Sequence, residues 1–357
     1  MTRVHIVDTG AGGSRSREWQ FLLACSPSCP APNCEERLAP AGEVDPARLL
    51  AMAKREGVLG LMLDAAGPCF EGERWAPWAP KLQAWAAAAM LRADHLAQEG
   101  RRLAAWLDTL GLPGLFFKGP WFAAEYYGHA AARWSSDLDL LIREADGPRL
   151  HDALLNDGFV PRFVLDAGRW SAFTRFQSAM TFTHPQRRVQ VDVHWRLYDP
   201  PWAWRHDPWA GARKRDEAGV RMLTFSPTDY AIYMAAHGLK HGWSQLIQVW
   251  DAAATLARLP ESGWEVLVRT AATSRKRNAL AATLRLVQRL AGLSLPAAAR
   301  SILESSAPRR RAAARALARI EERGDALPLP PGEARRWDKT SGVRAIAVPL
   351  LDSVFDR

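Results

Sequence analysis
The sequence predicts an α/β (α+β) chain in which a small mixed sheet is flanked by helical N- and C-terminal lobes. Three observations carry this. Strand-like runs are confined to about residues 114–198, and helical spacing of apolar residues fills the chain on either side. The 357 residues also suffice for roughly two domains of ~150 residues, each with a sizeable core. The expected divisions are a mobile N-terminus at 1–17, a helical lobe at 18–112, the sheet-bearing core at 113–200, a second helical lobe at 201–325 and a tail at 326–357.

The first 110 residues read as helical. Glycines, serines and scattered charge fill residues 1–17, a short apolar helix runs from Glu18 to Cys25, and Pro27 to Pro40 is a loop. Asp45-Pro46 opens the next helix, with a carboxylate at the cap and a proline in the first turn. Leu49, Leu50, Met52, Ala53, Val58 and Leu61 continue it at helical spacing. After a break from Pro68 to Pro80, an alanine-rich helix spans Lys81 to Leu110. Its apolar stripe is Trp85, Leu91, Leu96, Leu103 and Leu107, and Gly111 and Pro113 end it.

Leu115 to Phe117 reads as a buried strand ending at Lys118-Gly119, followed by a helix from Trp121 to Tyr127. A strand at 137–142 and a helix from Pro148 to Asn156, closed by Asp157-Gly158, come next. Phe159 to Leu165 and Ala179 to Thr183 are further strands. After a turn at His184-Pro185-Gln186, the run from Arg188 to Trp195 alternates: Val189, Val191 and Val193 on one face, Gln190, Asp192 and His194 on the other. Past Pro200 the chain is turn-rich, with Trp202, Trp204 and Trp209. Helical patterning returns from Pro227 to Arg258 and from Leu280 to Leu290, and His237 and His241 sit four apart on one face. Arg309, Arg310 and Arg311, then Pro328, Pro330 and Pro331, mark the tail, and no internal repeat is found.

A formal charge of +9 suits an anionic ligand or nucleic acid, but arginine in an Ala/Arg/Leu/Trp-rich chain carries most of it, which weakens the inference. No run approaches the ~20 apolar residues of a membrane span, and the first residues lack the charged-then-apolar order of a secretion signal. Cys25, Cys29, Cys34 and Cys69 have neither Cys-x-x-Cys spacing nor a matching histidine pair. They read as reduced thiols of a cytoplasmic protein.

Chemistry concentrates between Leu115 and Ile142. Asp137 and Asp139 stand two apart, so on a strand they share a face opposite Leu138 and Leu140. Paired carboxylates repel and call for a hard divalent cation. Asp-x-Asp alone is unspecific, since a solvated strand end produces it too. Asp192 adds a third acid, and three carboxylates can hold two divalent ions ~3.5–4 Å apart for in-line phosphoryl displacement. Lys118-Gly119, between a strand and a helix, stands where a lysine and backbone amides can meet phosphate. Read without function, Lys118 is a solvated strand end, Arg133 a partner of some structural acid, and His237 and His241 a structural pair. His194, on the face of Asp192, is a substrate contact or an orienting group.

Together these segments resemble the DNA polymerase β-like nucleotidyltransferase superfamily, and more narrowly the group of uncharacterised bacterial nucleotidyltransferase proteins. The resemblance covers most of residues 18–260: Phe117-Lys118-Gly119, the approach from Tyr126 to Arg133, Asp137-Leu138-Asp139-Leu140-Leu141, Val191-Asp192-Val193-His194-Trp195, and His237, His241, Trp243 and Asp251. It implies a metal-dependent nucleotidyltransferase using magnesium or manganese, as two ions on Asp137, Asp139 and Asp192. Asp192 is then also a general-base candidate. Lys118, Gly119, Arg133, Ser135 and Ser136 are implied in nucleotide binding, with Tyr126, His194, His237 and His241 toward the substrate. The donor is a nucleoside triphosphate or a nucleotide sugar. The acceptor is left open among a small molecule, a peptide, a protein and an RNA end, with no membrane partner. One departure stands out. The superfamily usually has Gly-Ser where this chain has Gly119-Pro120, so a phosphate-binding hydroxyl and an amide are missing, and Lys118, Ser135 and Ser136 are the candidate substitutes. Two other readings are transfer of a sugar or phosphoryl group from a nucleotide donor, and a non-catalytic nucleotide sensor. Three intact acids weigh against the sensor.

Overall fold
The computed structural model describes residues 16–27, 44–71, 73–165, 167–197, 207–271, 274–304, 311, 314–318 and 320–322. Residues 1–15, most of the loop expected up to Pro40, Trp202 and Trp204, Arg309 and Arg310, and the tail from 323 lie outside the described residues.

The described residues form one mixed sheet of seven strands: β1 (Leu115–Phe117), β2 (Leu138–Leu141), β3 (Val160–Pro161), β4 (Ala179–His184), β5 (Val189–His194), β6 (Arg213–Glu217) and β7 (Val220–Thr224). Their order is β3-β4-β5-β2-β1-β7-β6. β2 pairs with β5, and β1 with β7, in parallel; the other neighbours are antiparallel. Side-chain alternation gives the sheet two unlike faces. On one, Phe116, Leu138, Leu140, Val189, Val191 and Val193 are buried in a core shared with Leu103 and Leu107 of the long helix α4 (Ala79–Thr109) and with Leu150 and Leu154 of Gly147–Asn156. The other carries Leu115, Phe117 and Leu141 into a second core, and beside them Asp139, Asp192 and His194.

That second core joins both helical ends of the chain. It takes in Trp19, Leu49, Met52 and Met62 from the first helices and Tyr230, Trp250, Leu284 and Val287 from the last ones. Buried Glu56 is a polar pin between them: its carboxylate accepts from the Leu246 amide at 2.8 Å and its carbonyl from Ile247. No described helix is long and apolar enough to cross a membrane.

Local rules account for most helix ends. Asp45 caps α2 (Pro46–Arg55), accepting from the Arg48 amide. Ser226 and Asp229 form a capping box on α8, as we number Pro227–Lys240. The structure also departs from the sequence reading. The helix expected to continue through Leu61 breaks after Arg55, because Gly57 takes φ +72°, and resumes at Leu59–Ala66. Leu91 is 72% exposed; Ala89, Ala93, Leu96, Gly100, Leu103 and Leu107 form the inward stripe instead. The strand expected over 159–165 shrinks to Val160–Pro161, and Ala167–Phe176 is a helix. Strands β6 and β7 lie beyond the region to which strands were assigned. Arg-Lys-Arg-Asp-Glu in β6 has no apolar alternation, as a charged edge strand does not need it. Finally, Cys69 is disulfide-bonded, while Cys25 is a buried thiol outside any disulfide. The reading of four reduced thiols is therefore corrected, and with it goes one support for a reducing compartment.

Candidate active site
The site is built where β1, β2 and β5 run side by side. The register sets Phe117 opposite Asp139 and Asp139 opposite Asp192, with Thr181 of β4 opposite Asp192 in turn. Because β2 and β5 are parallel and in step, both acids emerge on the same face at the same height. His194 follows two residues later on that face. The ligand atoms of Asp139, Asp192 and His194 all lie within 4.8 Å of one another.

Asp139 is 5% exposed, and a cationic or donor group meets each of its oxygens. Lys118 Nζ stands 2.9 Å from Oδ2, and His194 Nε2 donates to Oδ1 at 3.2 Å. Burial alone would raise the pKa of Asp139, but Lys118 and then His194 outweigh it and hold the carboxyl below the usual range. Thr181 donates its hydroxyl to Asp192 Oδ1 at 2.7 Å. Asp137, buried at 8%, immediately precedes β2 and stands outside the 4.8 Å group.

Lys118 occupies an unusual backbone position. Its φ of 61° and ψ of −154° lie in a region essentially reserved for glycine, which costs a side-chain-bearing residue about 1–3 kcal/mol. Gly119 follows at φ +67°, with nothing within 4 Å of where a Cβ would sit, and opens helix α5 (Gly119–Tyr127). The strained turn aims the lysine stem across the sheet to Asp139 and leaves open space at the helix start. Strain at such a turn is a signature of a functional position.

Helix α8 roofs the β1 side of this face. Tyr233, His237 and His241, each four residues apart, form a row of rings: Tyr233 and His237 stack at 5.3 Å, and His237 meets His241 at 4.5 Å. Phe117 packs edge-on against both Tyr233 and His194, so the row reaches the acids. Lys118 Nζ lies 5.6 Å from the Tyr233 ring centre. Burial, then Lys118, pushes the pKa of His237 well below its ordinary value, so this imidazole is neutral.

The other sequence candidates divide. Arg133 is held by Asp251, with Nε 3.0 and 2.9 Å from the two oxygens and Nη2 at 2.9 Å; Tyr127 donates to the same carboxylate at 2.7 Å. Burial would lower the pKa of Arg133, but Asp251 more than reverses that and keeps it charged. Ser135 Oγ is buried and has no hydrogen-bond partner among the described residues, and the Ser136 carbonyl accepts from Arg92. Tyr126 lies in the aromatic core against Phe122 and Tyr230, with Arg258 over its ring at 4.8 Å, rather than beside the acids. Sequence reasoning missed Thr181 and Tyr233. Extending the His237/His241 stripe back one turn would have found Tyr233. Thr181 is visible only once the β4–β5 register is known.

Two carboxylates at one height suit a hard divalent ion, whose remaining positions water and phosphate oxygens would fill. His194 fits less well as a ligand. Its Nδ1 is buried without a partner, whereas a metal-bound imidazole almost always donates from its other nitrogen. With Nε2 already donating to Asp139, the ring is better suited to orienting that carboxylate.

A family model described as uncharacterised nucleotidyltransferase matches residues 42–292, about seven-tenths of the chain. No curated protein matches the chain.

Proposed function
The chain belongs to the uncharacterised nucleotidyltransferase family, and on that premise we propose that it moves a nucleotidyl group from a nucleoside triphosphate to an acceptor hydroxyl, as a relative of the DNA polymerase β-like enzymes. The observation that carries this reading is the in-register pairing of Asp139 with Asp192 on adjacent parallel strands, beside the Lys118-Gly119 turn. Asp139 and Asp192, with Asp137 next to them, would hold magnesium or manganese, in two copies. When bound, such ions neutralise phosphate oxygens and stabilise both the attacking and the leaving oxygen.

The protein's own groups supply the rest. Lys118 and the first turn of α5, minus the amide that Pro120 lacks, bind the terminal phosphates, and the unpaired Ser135 hydroxyl replaces the missing serine. Asp192 takes the proton of the acceptor hydroxyl. That oxygen then bonds to the α-phosphorus as the bond to pyrophosphate breaks. Thr181 and His194 orient Asp192 and Asp139. Arg133, committed to Asp251, stays in place as part of the frame around the phosphates.

Purified protein incubated with magnesium or manganese, candidate acceptors and labelled nucleotides tests the reaction class. Label from the α-phosphate should reach the acceptor, with release of pyrophosphate. Transfer of γ-label, or of sugar from a nucleotide sugar, would replace this reading with phosphoryl or glycosyl transfer.

A further inference from the structure
Asp139 is neutralised in this structure by a side chain of the protein itself. Lys118 Nζ sits 2.9 Å from Oδ2, and the lysine is 12% exposed. The backbone accepts a conformation reserved for glycine in order to deliver it. A magnesium or manganese ion on Asp139 needs a carboxylate oxygen at about 2.1 Å, closer than the ammonium now stands, and like charges so near repel strongly. Lys118 has an alternative place. Its ammonium stands over the Phe117 and Tyr233 rings, 5.7 and 5.6 Å from their centres, and its backbone lies one residue before the open start of α5. A lysine ammonium on a flexible four-carbon stem can swing where a planar guanidinium would not.

We propose that Lys118 is an internal counter-ion that competes with the divalent cation for Asp139 and, once displaced, pairs with the phosphate chain that arrives with it. This rests on the metal-dependent reading above and adds its regulation: ion and triphosphate bind cooperatively, and either alone binds weakly. An ordinary phosphate-binding lysine differs in that its removal leaves the affinity for the bare ion unchanged.

The test is Mn²⁺ affinity without nucleotide, read by electron paramagnetic resonance, for the wild-type chain, Lys118→Met and Asp139→Asn. Lys118→Met should bind Mn²⁺ at least about tenfold tighter than wild type, the least a unit charge a few ångströms away is worth. It should also lose the mutual tightening of Mn²⁺ and tripolyphosphate expected of wild type. Equal or weaker binding by Lys118→Met, with binding abolished in Asp139→Asn, overturns the counter-ion role and leaves the metal site standing. Binding by wild type and Lys118→Met no tighter than by Asp139→Asn overturns both. Should Lys118→Met not fold, acetylation of Lys118 in the wild-type chain, followed by mass spectrometry, decides the matter. Its rate rises with saturating Mn²⁺ if the ammonium is displaced; an unchanged or lower rate contradicts the proposal.

Discussion
Asp192 and His194 share a strand face but differ in what they contact, and so in what each can do. Asp192 accepts from Thr181 at one oxygen, while His194 donates to Asp139. If Asp192 is the general base, Asp192→Asn should slow single-turnover transfer at saturating magnesium and nucleotide by ~10²–10⁴-fold, beyond the weaker binding that loss of a ligand charge brings. His194→Ala should cost less, through loss of orientation. An active Asp192→Asn beside a dead His194→Ala would reverse the two roles. His237 leads to a pH prediction. Burial, then Lys118, depresses its folded pKa below the unfolded value of about 6.5, so below that pH the unfolded chain binds a proton the native state refuses. Stability should therefore fall as pH drops from 7 to 5, with His237 contributing to the loss. Urea unfolding of His237→Gln at the two pH values should show a smaller loss than wild type; an identical pH dependence would contradict a neutral buried imidazole.

At the scale of elements, the sheet face is held in place by helix α4, whose contact with α5 depends on one missing side chain. A Cβ at Gly100 would lie 2.1 Å from the Trp121 ring. Gly100→Ala should therefore destabilise by ~1–3 kcal/mol through overpacking, even though alanine favours a helix by about 1 kcal/mol. Adding Trp121→Phe, which removes the outer indole atoms, should recover most of the loss in urea titrations; a stabilised Gly100→Ala would show that the two helices are not in contact as described. Legibility also differs by element. The Leu115–Phe117 strand could be read as a continuous apolar run buried on both faces, and the run to His194 because burial on one face writes itself into every second residue. Asp45-Pro46 could be read because capping is local. Strands β6 and β7 could not: β6 is charged at every position, β7 is a five-residue run with Arg221 inside it, and their turn is Ala218-Gly219, with φ of 53° and 83°, without the asparagine or aspartate that usually announces such a turn.

At the scale of the whole molecule, the two helical ends of the chain pack into one core against the face that carries the acids, and what the sequence hides is set there. That Asp251 would hold Arg133 from 118 positions away follows from how α5 and Leu246–Leu256 pack, not from anything near either residue. Breaking such a buried pair costs about 3–5 kcal/mol, which makes it part of the frame of the site. The acids themselves were legible as residue types, because carboxylates on an apolar strand need a reason to be there. Their equal height and the strained lysine facing them were not, since register and a positive φ leave no mark in composition. The central claim is that the Asp139–Asp192 pair is a divalent-ion and triphosphate site. Isothermal calorimetry with magnesium and a non-hydrolysable nucleoside triphosphate, on the wild-type chain and Asp139→Asn, tests it most directly. Wild type should bind in a magnesium-dependent way, with a loss of at least about tenfold in the variant, since a ligand charge is removed. Equal affinities in the two chains would contradict it.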